Sequence, residues 1–258
     1  MDKRERYTQI NAQTWDAWAE NGCEWTIPVT HDDILRARAG DWGVYLTPCR
    51  TVPREWFLPF ENARILGLAS GGGQQMPIFS VLGARCTLFD LSDSQLEKDR
   101  MVADREGYDI EIVKGDMTRP FPFEDGFFDL IFHPVSNCYL EDVYPVWREC
   151  ARVLRPGGVL LAGLDNGLNF LFEDDRPLTV VNRLPFNPLL MPEAVFRRMA
   201  EKGEAIQFSH TLEEQIGGQL KAGFQLTDLL EDRDRPGGAR IREYAPQYIA
   251  TRAVKASR

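Results

Sequence analysis

The chain has 258 residues, a formal net charge of −9 at pH 7 and an ordinary 43% share of hydrophobic residues. This composition is typical of a folded globular protein, and the acidic balance argues against nucleic acid as a partner, because nucleic-acid-binding domains usually carry a basic face. The sequence shows neither a secretory pattern nor an apolar run of about 20 residues, so we expect a cytoplasmic protein without a membrane segment. Five widely spaced cysteines agree with reduced thiols in that compartment.

Short apolar runs alternate with helical patterns through the middle of the chain. The apolar runs predict five strands, at residues 63–69, 85–90, 110–113, 128–132 and 159–163. The helical patterns between them cover residues 74–82, 92–107 and 140–154, and Ser92 with Gln95 forms a capping-box pattern at the start of the second. Strands that alternate with helices predict a parallel sheet with helices on both faces, and the nearly continuous apolar character of the strands agrees with this arrangement.

The end of the chain predicts one helix and two further strands. A capping-box pattern formed by Thr211 and Glu214 begins a helix that extends to Ala222. Strand-like runs follow at residues 223–230 and 248–254, and we expect them to pair antiparallel because no helix lies between them. The sequence therefore predicts an α/β fold with a doubly wound, mostly parallel sheet of seven strands and an antiparallel C-terminal strand.

Polar or glycine-rich segments follow the first three predicted strands. Residues 69–73 (Ala-Ser-Gly-Gly-Gly) lie between a strand and a helix, Asp90 ends the second strand, and Asp116 follows the third. In doubly wound sheets ligands bind at the carboxyl ends of the strands, where glycines allow close approach and an acid accepts hydrogen bonds from ribose hydroxyls. Together the segments indicate an adenosine-containing ligand. The alternative is a tight connection and two caps at the ends of strands or helices.

Residues 64–163 resemble the class I S-adenosylmethionine-dependent methyltransferases, in particular their type 11 group. The resemblance depends on Asp90, residues 127–131 (Phe-Phe-Asp-Leu-Ile) and residues 152–158 (Arg-Val-Leu-Arg-Pro-Gly-Gly), which have the family's order and spacing. Over most of the chain the sequence also resembles a bacterial subgroup with Leu-Ala-Ser-Gly-Gly-Gly-Gln-Gln at 68–75 and His-Pro-Val-Ser-Asn at 133–137. The resemblance implies a Rossmann-like fold, S-adenosylmethionine as cofactor and a small molecule as methyl acceptor.

The same resemblance implies roles for individual residues. Asp90 would hold the ribose, Asp116 would accept a hydrogen bond from the adenine amine, and Met117 and Leu91 would lie against the adenine. The remaining cofactor-binding residues would come from the glycine-rich segment: Ala69, Ser70, Gly71, Gly73 and Gln74.

Two positions depart from the family pattern. The family's usual acid in the first strand falls at Gly67, and its first loop glycine falls at Ala69. The missing acid removes one hydrogen-bond acceptor for the amino-acid end of the cofactor. Ser70, Gln74 or the aromatic N-terminus are the candidates to replace it.

His133 follows the fourth predicted strand, near the place where the transferred methyl group lies in this family. It is the candidate catalytic base, or a donor that positions the acceptor, and it is counted among the cofactor-binding residues as well. The alternative is a histidine whose hydrogen bonds are satisfied by the backbone. The three histidines of the chain lack metal-ligand spacing, so no metal site is expected.

The chain divides into four predicted parts. Residues 1–60, in which Trp15 and Trp18 share one helix face, would form an N-terminal helical and aromatic lid, or would only pack on the core. Residues 61–165 would form the cofactor-binding core and residues 211–258 the rest of its sheet. Residues 166–210 would be an insertion that caps the acceptor site or forms a dimer surface. Both a monomer and a homodimer stay open.

Two other functions stay open from the sequence. A nicotinamide-dependent oxidoreductase would carry glycines in the pattern G-x-G-x-x-G, whereas this chain has Ala69-x-Gly71-x-Gly73 and an antiparallel tail that disfavours this class. A non-catalytic module that binds S-adenosylmethionine is the second alternative, because the acid of the first strand is missing.

Overall fold

Within residues 2–172 and 178–256, the parts of the chain that the computed structural model describes, seven strands form one sheet. Residues 173–177 of the predicted insertion, with the acidic run at 173–175, lie outside the described residues. The strands are β1 (Arg64–Leu68), β2 (Arg85–Asp90), β3 (Glu111–Lys114), β4 (Phe128–His133), β5 (Leu154–Asp165), β6 (Phe224–Asp232) and β7 (Tyr248–Lys255).

The spatial order of the strands is β3, β2, β1, β4, β5, β7, β6. The pairs from β3 to β5 are parallel, whereas β7 runs antiparallel to both β5 and β6. The first strand, β1, lies inside the sheet. The next two strands extend the sheet outwards to β3, and the chain then returns to the other side of β1 at β4. This order confirms the predicted doubly wound, mostly parallel sheet. It also brings the carboxyl ends of β1 to β5 to the same edge, on either side of the reversal point.

Helices cover both faces of the sheet. No helix among the described residues is long and apolar enough to cross a membrane. The α-helices are α1 (Lys3–Glu20), α2 (His31–Arg38), α3 (Met76–Val81), α4 (Asp93–Glu106), α5 (Tyr144–Val153), α6 (Glu193–Glu201) and α7 (Gly218–Lys221).

Successive side chains of β1 and β4 pack into two different hydrophobic cores, one on each face of the sheet. In β1, Ile65 packs with α2 and α3 on one face, and Leu66 packs with α5 on the other. Leu130 and Ile131 of β4 divide in the same way, since successive side chains of a strand point to opposite faces. Both faces are therefore buried, which explains why the strands read as continuous apolar runs in the sequence.

Hydrogen bonds hold the N-terminal region against α4. The Asp16 carboxylate accepts hydrogen bonds from the Ser92 hydroxyl at 2.6 Å and the Ser94 amide at 3.0 Å, at the start of α4. One turn further along, the Lys98 ammonium donates to the carbonyls of Ala19 at 2.9 Å and Thr26 at 2.6 Å. The helix macrodipole favours an anion at its N-terminus, so Asp16 suits this position. These contacts bring α1 across the carboxyl edge of the sheet.

Two predicted helices differ from the observed ones. The helix expected over 140–154 begins at Tyr144, where the Asp142 side chain accepts from the Tyr144 amide at 2.9 Å. The helix expected over 211–222 has the predicted capping bonds between Thr211 and Glu214, but continues as a π-helical turn at Glu213–Gly217 before α7. The Glu214 carbonyl there accepts from the Trp147 indole at 3.0 Å, a partner that competes with the regular helical ladder.

Candidate active site

The loop between β1 and α3 approaches the sheet edge in a left-handed conformation. Ala69, Gly72 and Gly73 have positive φ values of 47°, 110° and 71°. Glycine adopts this region freely, whereas an alanine does so at a cost of about 1 kcal/mol. The Ala69 amide donates to the Phe89 carbonyl at 2.8 Å, which fixes the loop to β2. The alanine at the family's first glycine position thus adopts a conformation that glycine favours.

Asp99 of α4 lies behind this loop and binds its backbone. Its side chain has 0% exposure, and Oδ2 accepts hydrogen bonds from the amides of Gly72 at 3.0 Å and Gly73 at 2.8 Å. The other oxygen, Oδ1, has no partner within residues 2–172 and 178–256. Burial, with a smaller contribution from the charge of Asp90, raises the pKa of Asp99 to about 8. Gly73 therefore directs its amide towards Asp99 and does not line the cavity in front of the loop.

Asp90 ends β2 directly opposite the glycine loop. Its Oδ2 accepts from the Gly71 amide at 3.0 Å and its Oδ1 accepts from the Ser92 amide at 3.0 Å. Burial raises the pKa of Asp90, while these amides act in the other direction. The carboxylate borders the cavity and keeps further lone pairs for a ligand. The predicted ligand contact and the alternative cap are thus compatible, because one side chain can serve both.

Ser92 and Gln95 form only half of the predicted capping box. The Ser92 hydroxyl accepts from the Gln95 amide at 3.1 Å, as predicted. The Gln95 side chain instead donates to the Gly71 carbonyl at 3.2 Å, because Asp90 already occupies the Ser92 amide. Gln95 therefore supports the glycine loop as well as the helix.

Leu91, Asp116 and Met117 border the same cavity from the ends of β2 and β3. Asp116 Oδ1 accepts from the Thr118 amide at 2.8 Å, which closes a tight turn after β3 and fixes the carboxylate. Met117 also packs against the hydrophobic core beneath it. Two apolar side chains and one oriented carboxylate therefore lie together, and this combination suits the faces and the exocyclic amine of a purine.

The position of the missing acid is filled by a side chain. A Cβ atom on Gly67 would lie 2.6 Å from the sulfur of Met76, a fully buried residue. No acidic side chain would fit at this position without displacing Met76. The loss of the acid and the presence of Met76 are therefore linked by packing.

A chain of side-chain hydrogen bonds connects the glycine loop with the N-terminal region. The Ser70 hydroxyl donates to Gln75 at 3.0 Å, and the Gln75 amide donates to Gln74 at 3.4 Å. Gln74 in turn donates to the carbonyls of Glu24 at 3.3 Å and Ile27 at 3.1 Å. Ser70, Gln74 and Gln75 all line the cavity. The three candidates to replace the acid, Ser70, Gln74 and the N-terminal region, are thus parts of one network.

The structure does not bring His133 to the cavity. Its side chain has 0% exposure, and its Nδ1 lies 3.0 Å from the Leu68 carbonyl while its Nε2 lies 2.8 Å from Asn137 Oδ1. Burial lowers the pKa of His133. Both ring nitrogens are engaged inside the protein, so this geometry favours the alternative of a histidine that joins the ends of β1 and β4.

A cavity of about 1160 Å³ extends along the carboxyl edge of the sheet. Pockets for one small molecule usually measure roughly 300–1,000 Å³, so this cavity has room for a second molecule beside a nucleoside. Eight of the ten predicted site residues line it, namely Ala69, Ser70, Gly71, Gln74, Asp90, Leu91, Asp116 and Met117. Gly73 and His133 lie behind its wall.

Aromatic side chains from three regions line the cavity. Trp15 packs edge-to-face on Trp18 at 5.0 Å and on Tyr139 at 5.6 Å between ring centroids, and all three line the cavity. Trp25 is covered on one face by the Arg235 guanidinium at 4.0 Å from its ring centroid. The N-terminal tryptophans thus line the cavity, and Trp15 also contacts Tyr139, which follows β4.

The sequence did not identify two carboxylates of this region. Asp99 lies in a predicted helix between two charged residues, a pattern that is typical of a solvated helix face. Asp165 ends β5, just as Asp90 ends β2. The tendency of ligands to bind at the carboxyl ends of strands could therefore have identified Asp165 from the sequence. Asp165 is 8% exposed and lines the cavity.

The strand order and the cavity at the reversal point define a Rossmann-like, nucleoside-binding α/β protein. Residues 66–162 match the family model described as a methyltransferase domain. Over 250 residues the chain is 42% identical to the uncharacterized methyltransferase YbaJ of Bacillus subtilis (strain 168), covering 95% of this chain and 97% of that protein. The chain belongs to the class I S-adenosylmethionine-dependent methyltransferases, and S-adenosylmethionine is its cofactor.

Solved structures share the fold at low sequence identity. An S-adenosylmethionine-dependent methyltransferase from Mesorhizobium loti superposes with a TM-score of 0.58 at 20% identity, over 78% of this chain and 95% of that one. The [4+2]-cyclase SpnF superposes with a TM-score of 0.62 at 16% identity, over 97% of both chains. Because the second neighbour is a cyclase, likeness of fold leaves the chemistry at the acceptor open. The family match, in contrast, disfavours the nicotinamide-dependent alternative.

Proposed function

We propose that the protein transfers the methyl group of S-adenosylmethionine to a small-molecule acceptor that binds in the same cavity. The observation that carries this proposal is the position of eight predicted cofactor residues along one wall of a cavity that extends beyond them. The remaining space lies at the ends of β4 and β5, beside Tyr139 and Asp165. A methyltransferase needs both places side by side, because the reacting atoms must come within about 3–3.5 Å.

The cofactor-binding roles follow from the groups that face the cavity. Asp90 would accept hydrogen bonds from the ribose hydroxyls, and Asp116 would accept one from the adenine amine. Leu91 and Met117 would cover the adenine faces. The amino-acid end would bind at Ala69, Gly71 and the network of Ser70, Gln74 and Gln75, which takes the place of the missing acid.

When bound, the cofactor supplies a methyl group that its positive sulfur has already activated. The chain then has to orient the acceptor and exclude water. Trp15, Trp18 and Tyr139 suit both tasks, because aromatic faces stabilise a cation and the cluster closes the cavity. We therefore assign residues 1–60 as a lid over residues 61–165, with residues 211–258 completing the sheet.

The acceptor side would be closed by residues 166–210. Asn169, Phe170 and Gln207 of this part line the cavity, which supports a cap on the acceptor site rather than a dimer surface. We place the reaction in the cytoplasm, where the five free cysteines would stay reduced. His133 is left out of the reacting groups, since Leu68 and Asn137 engage its ring.

Calorimetry and a labelled-methyl assay test this function. We expect S-adenosylmethionine and S-adenosylhomocysteine to bind and NADH not to bind. Incubation with methyl-labelled S-adenosylmethionine and a metabolite extract should label at least one small molecule. Cofactor binding without any labelled product would support the non-catalytic alternative, and absence of cofactor binding would contradict the proposal itself.

A further inference from the structure

We propose that Asp165, Asn169 and Tyr248 form the acceptor subsite and that it takes a small primary or secondary amine. This inference rests on the proposed function, because it assigns the second place in the cavity. Asp165 ends β5, Asn169 lies in the turn that follows, and Tyr248 begins β7, where it pairs with Asp165. All three line the cavity. Asp165 on β5 lies two strands away from β1, the strand that leads into the glycine loop, a distance of roughly 10 Å.

The subsite is built from fixed hydrogen-bond acceptors. Asp165 Oδ1 accepts from the Gly167 amide at 2.5 Å, and Oδ2 accepts from the Asn169 side chain at 3.3 Å. The Asn169 amide also lies 3.4 Å from the Tyr248 hydroxyl. The Asn169 carbonyl oxygen is buried and has no hydrogen-bond partner in the part of the chain that the structure describes. That oxygen is closed to the cavity as well as to solvent, so the acceptor that a ligand can reach is Asp165, which lines the cavity and keeps lone pairs for N–H groups.

Charge favours an amine over a neutral donor. Asp165 is buried, and no Lys, Arg or His within the described residues forms an ion pair with it. The two arginines that line the cavity are paired elsewhere, Arg36 with Asp33 and Arg235 with Glu24. A buried carboxylate without a counter-charge is unfavourable, and an ammonium group would supply the missing charge. The aromatic wall beside it would hold the carbon skeleton and stabilise the cation.

The same carboxylate can prepare the amine for methylation. An ammonium nitrogen has no lone pair, so one proton must leave it before it can act as a nucleophile. The proton would pass to Asp165, so that ammonium and carboxylate become amine and carboxylic acid with no change in total charge. Burial raises the pKa of Asp165 to about 6, which brings the group towards the range of a general base.

Binding of two matched probes tests the proposal. With S-adenosylhomocysteine present at pH 7.5, we expect benzylamine to bind the wild-type protein about tenfold or more tightly than benzyl alcohol. Asp165→Asn should remove most of this preference, while leaving affinity for S-adenosylhomocysteine and benzyl alcohol unchanged. Asp41→Asn is the matched control, because it removes a carboxylate from an exposed part of the same cavity. It should keep the preference.

A pH series on the wild-type protein gives a second measurement that does not depend on the variant folding. Benzylamine affinity should rise from about pH 5 to pH 7 as Asp165 ionises, while benzyl alcohol affinity stays flat. The titratable groups that face Asp165 are Tyr248 on β7, Asp234 after β6 and Cys138 after β4. The pKa values of Tyr248 and Cys138 are raised above this range, so neither titrates in it.

The outcomes separate this inference from the proposed function. If S-adenosylhomocysteine binds but the amine shows no preference, or Asp41→Asn abolishes the preference as Asp165→Asn does, the acceptor subsite is wrong and the methyltransferase proposal stands. A flat pH series for benzylamine would also contradict it. If S-adenosylhomocysteine itself does not bind, the result contradicts the proposed function and, with it, the acceptor subsite that rests on it.

Discussion

Asp90 shows how one side chain can organise a binding loop and still serve a ligand. Its two oxygens already fix the Gly71 and Ser92 amides, so the loop and the start of α4 are positioned before any nucleoside binds. Such preorganisation reduces the entropy that binding would otherwise lose. The sequence predicts this residue as a ribose ligand because its type and its place at the end of β2 together point to that role.

Asp90→Ala should weaken S-adenosylhomocysteine binding by about tenfold or more, since a hydrogen bond to a charged group contributes about 1.5–3 kcal/mol. The fold should survive, because the substitution leaves the core residues of β2 in place. Isothermal titration calorimetry measures the affinity, and Asp104→Ala, an exposed acid on α4, is the control. Equal affinities for both variants would remove the ribose assignment.

Asp99 makes stability depend on pH in a defined direction. Its pKa is about 8 in the folded protein and about 3.9 in an unfolded chain, so the folded state binds the extra proton between these values. Its contribution to stability is therefore present below about pH 4 and is lost as the pH rises through about 8. The carboxylate form is disfavoured because Asp99 is buried and Asp90 is nearby.

Asp99→Asn should flatten this dependence. Asparagine keeps an oxygen for the Gly72 and Gly73 amides but cannot ionise, so the melting temperature should fall less between about pH 6 and pH 8.5 than in the wild type. Thermal denaturation followed by circular dichroism measures this, with Asp104→Asn as the matched surface control. Asp165, which the shift of Asp99 does not involve, titrates in both proteins and cancels in the comparison. Parallel curves for wild type and Asp99→Asn would contradict the role of Asp99.

The orientation of single side chains is what the sequence could not give. His133 has the expected position at the end of β4, but its ring turns towards Leu68 and Asn137 instead of the cavity. Asp99 lies between charged neighbours, and nothing in its own helix reveals the two amides that it meets from a distant loop. Both cases depend on contacts between segments that are remote in the chain, whereas sequence patterns report local periodicity.

At the scale of elements, polar contacts with α4 hold the C-terminal half of α1, whereas Tyr7 and Asn11 of its first half are buried against residues 206–208. Asp16 binds the start of α4, and Lys98 binds the end of α1 and the segment after it. Because such contacts hold the predicted lid, its opening should cost much less free energy than unfolding of the sheet.

Asp16→Ala should therefore loosen the N-terminal region selectively. We expect faster amide hydrogen exchange across residues 12–26 and unchanged protection in β1, β4 and β5. Asp32→Ala, which removes an exposed acid of α2, serves as control. If Asp16→Ala exchanges like the control, α1 is held by its packing alone and the polar contacts do not matter.

Strands could be predicted where both of their faces are buried. The form of a helix could not be predicted where a residue distant in the chain bonds to its backbone. The runs that became β1, β2 and β4 could be recognised because their apolar character is continuous. β5 begins at Leu154, earlier than expected, since the Arg-Pro-Gly-Gly segment continues the strand. The π-helical turn before α7 could not be predicted, because the Trp147 indole that donates to the Glu214 carbonyl belongs to α5, a distant part of the sequence.

At the scale of the whole molecule, strand order decides where chemistry can occur. The reversal between β1 and β4 opens the sheet edge, with the proposed nucleoside residues on β1 to β3 and the proposed acceptor residues on β4, β5 and β7. Residues of the N-terminal helix and of the predicted insertion line the cavity at this edge. The family likeness over residues 66–162 covers the first half of this arrangement, while the acceptor side lies partly beyond it.

A crystal structure of the protein with S-adenosylhomocysteine tests the central claim most directly. We expect the nucleoside at the carboxyl ends of β1 to β3, with both ribose hydroxyls within hydrogen-bond distance of Asp90 and the adenine between Leu91 and Met117. The thioether sulfur should face the open space before Tyr139 and Asp165. A complex in which the compound binds elsewhere, or in which Asp90 does not contact the ribose, would contradict the account.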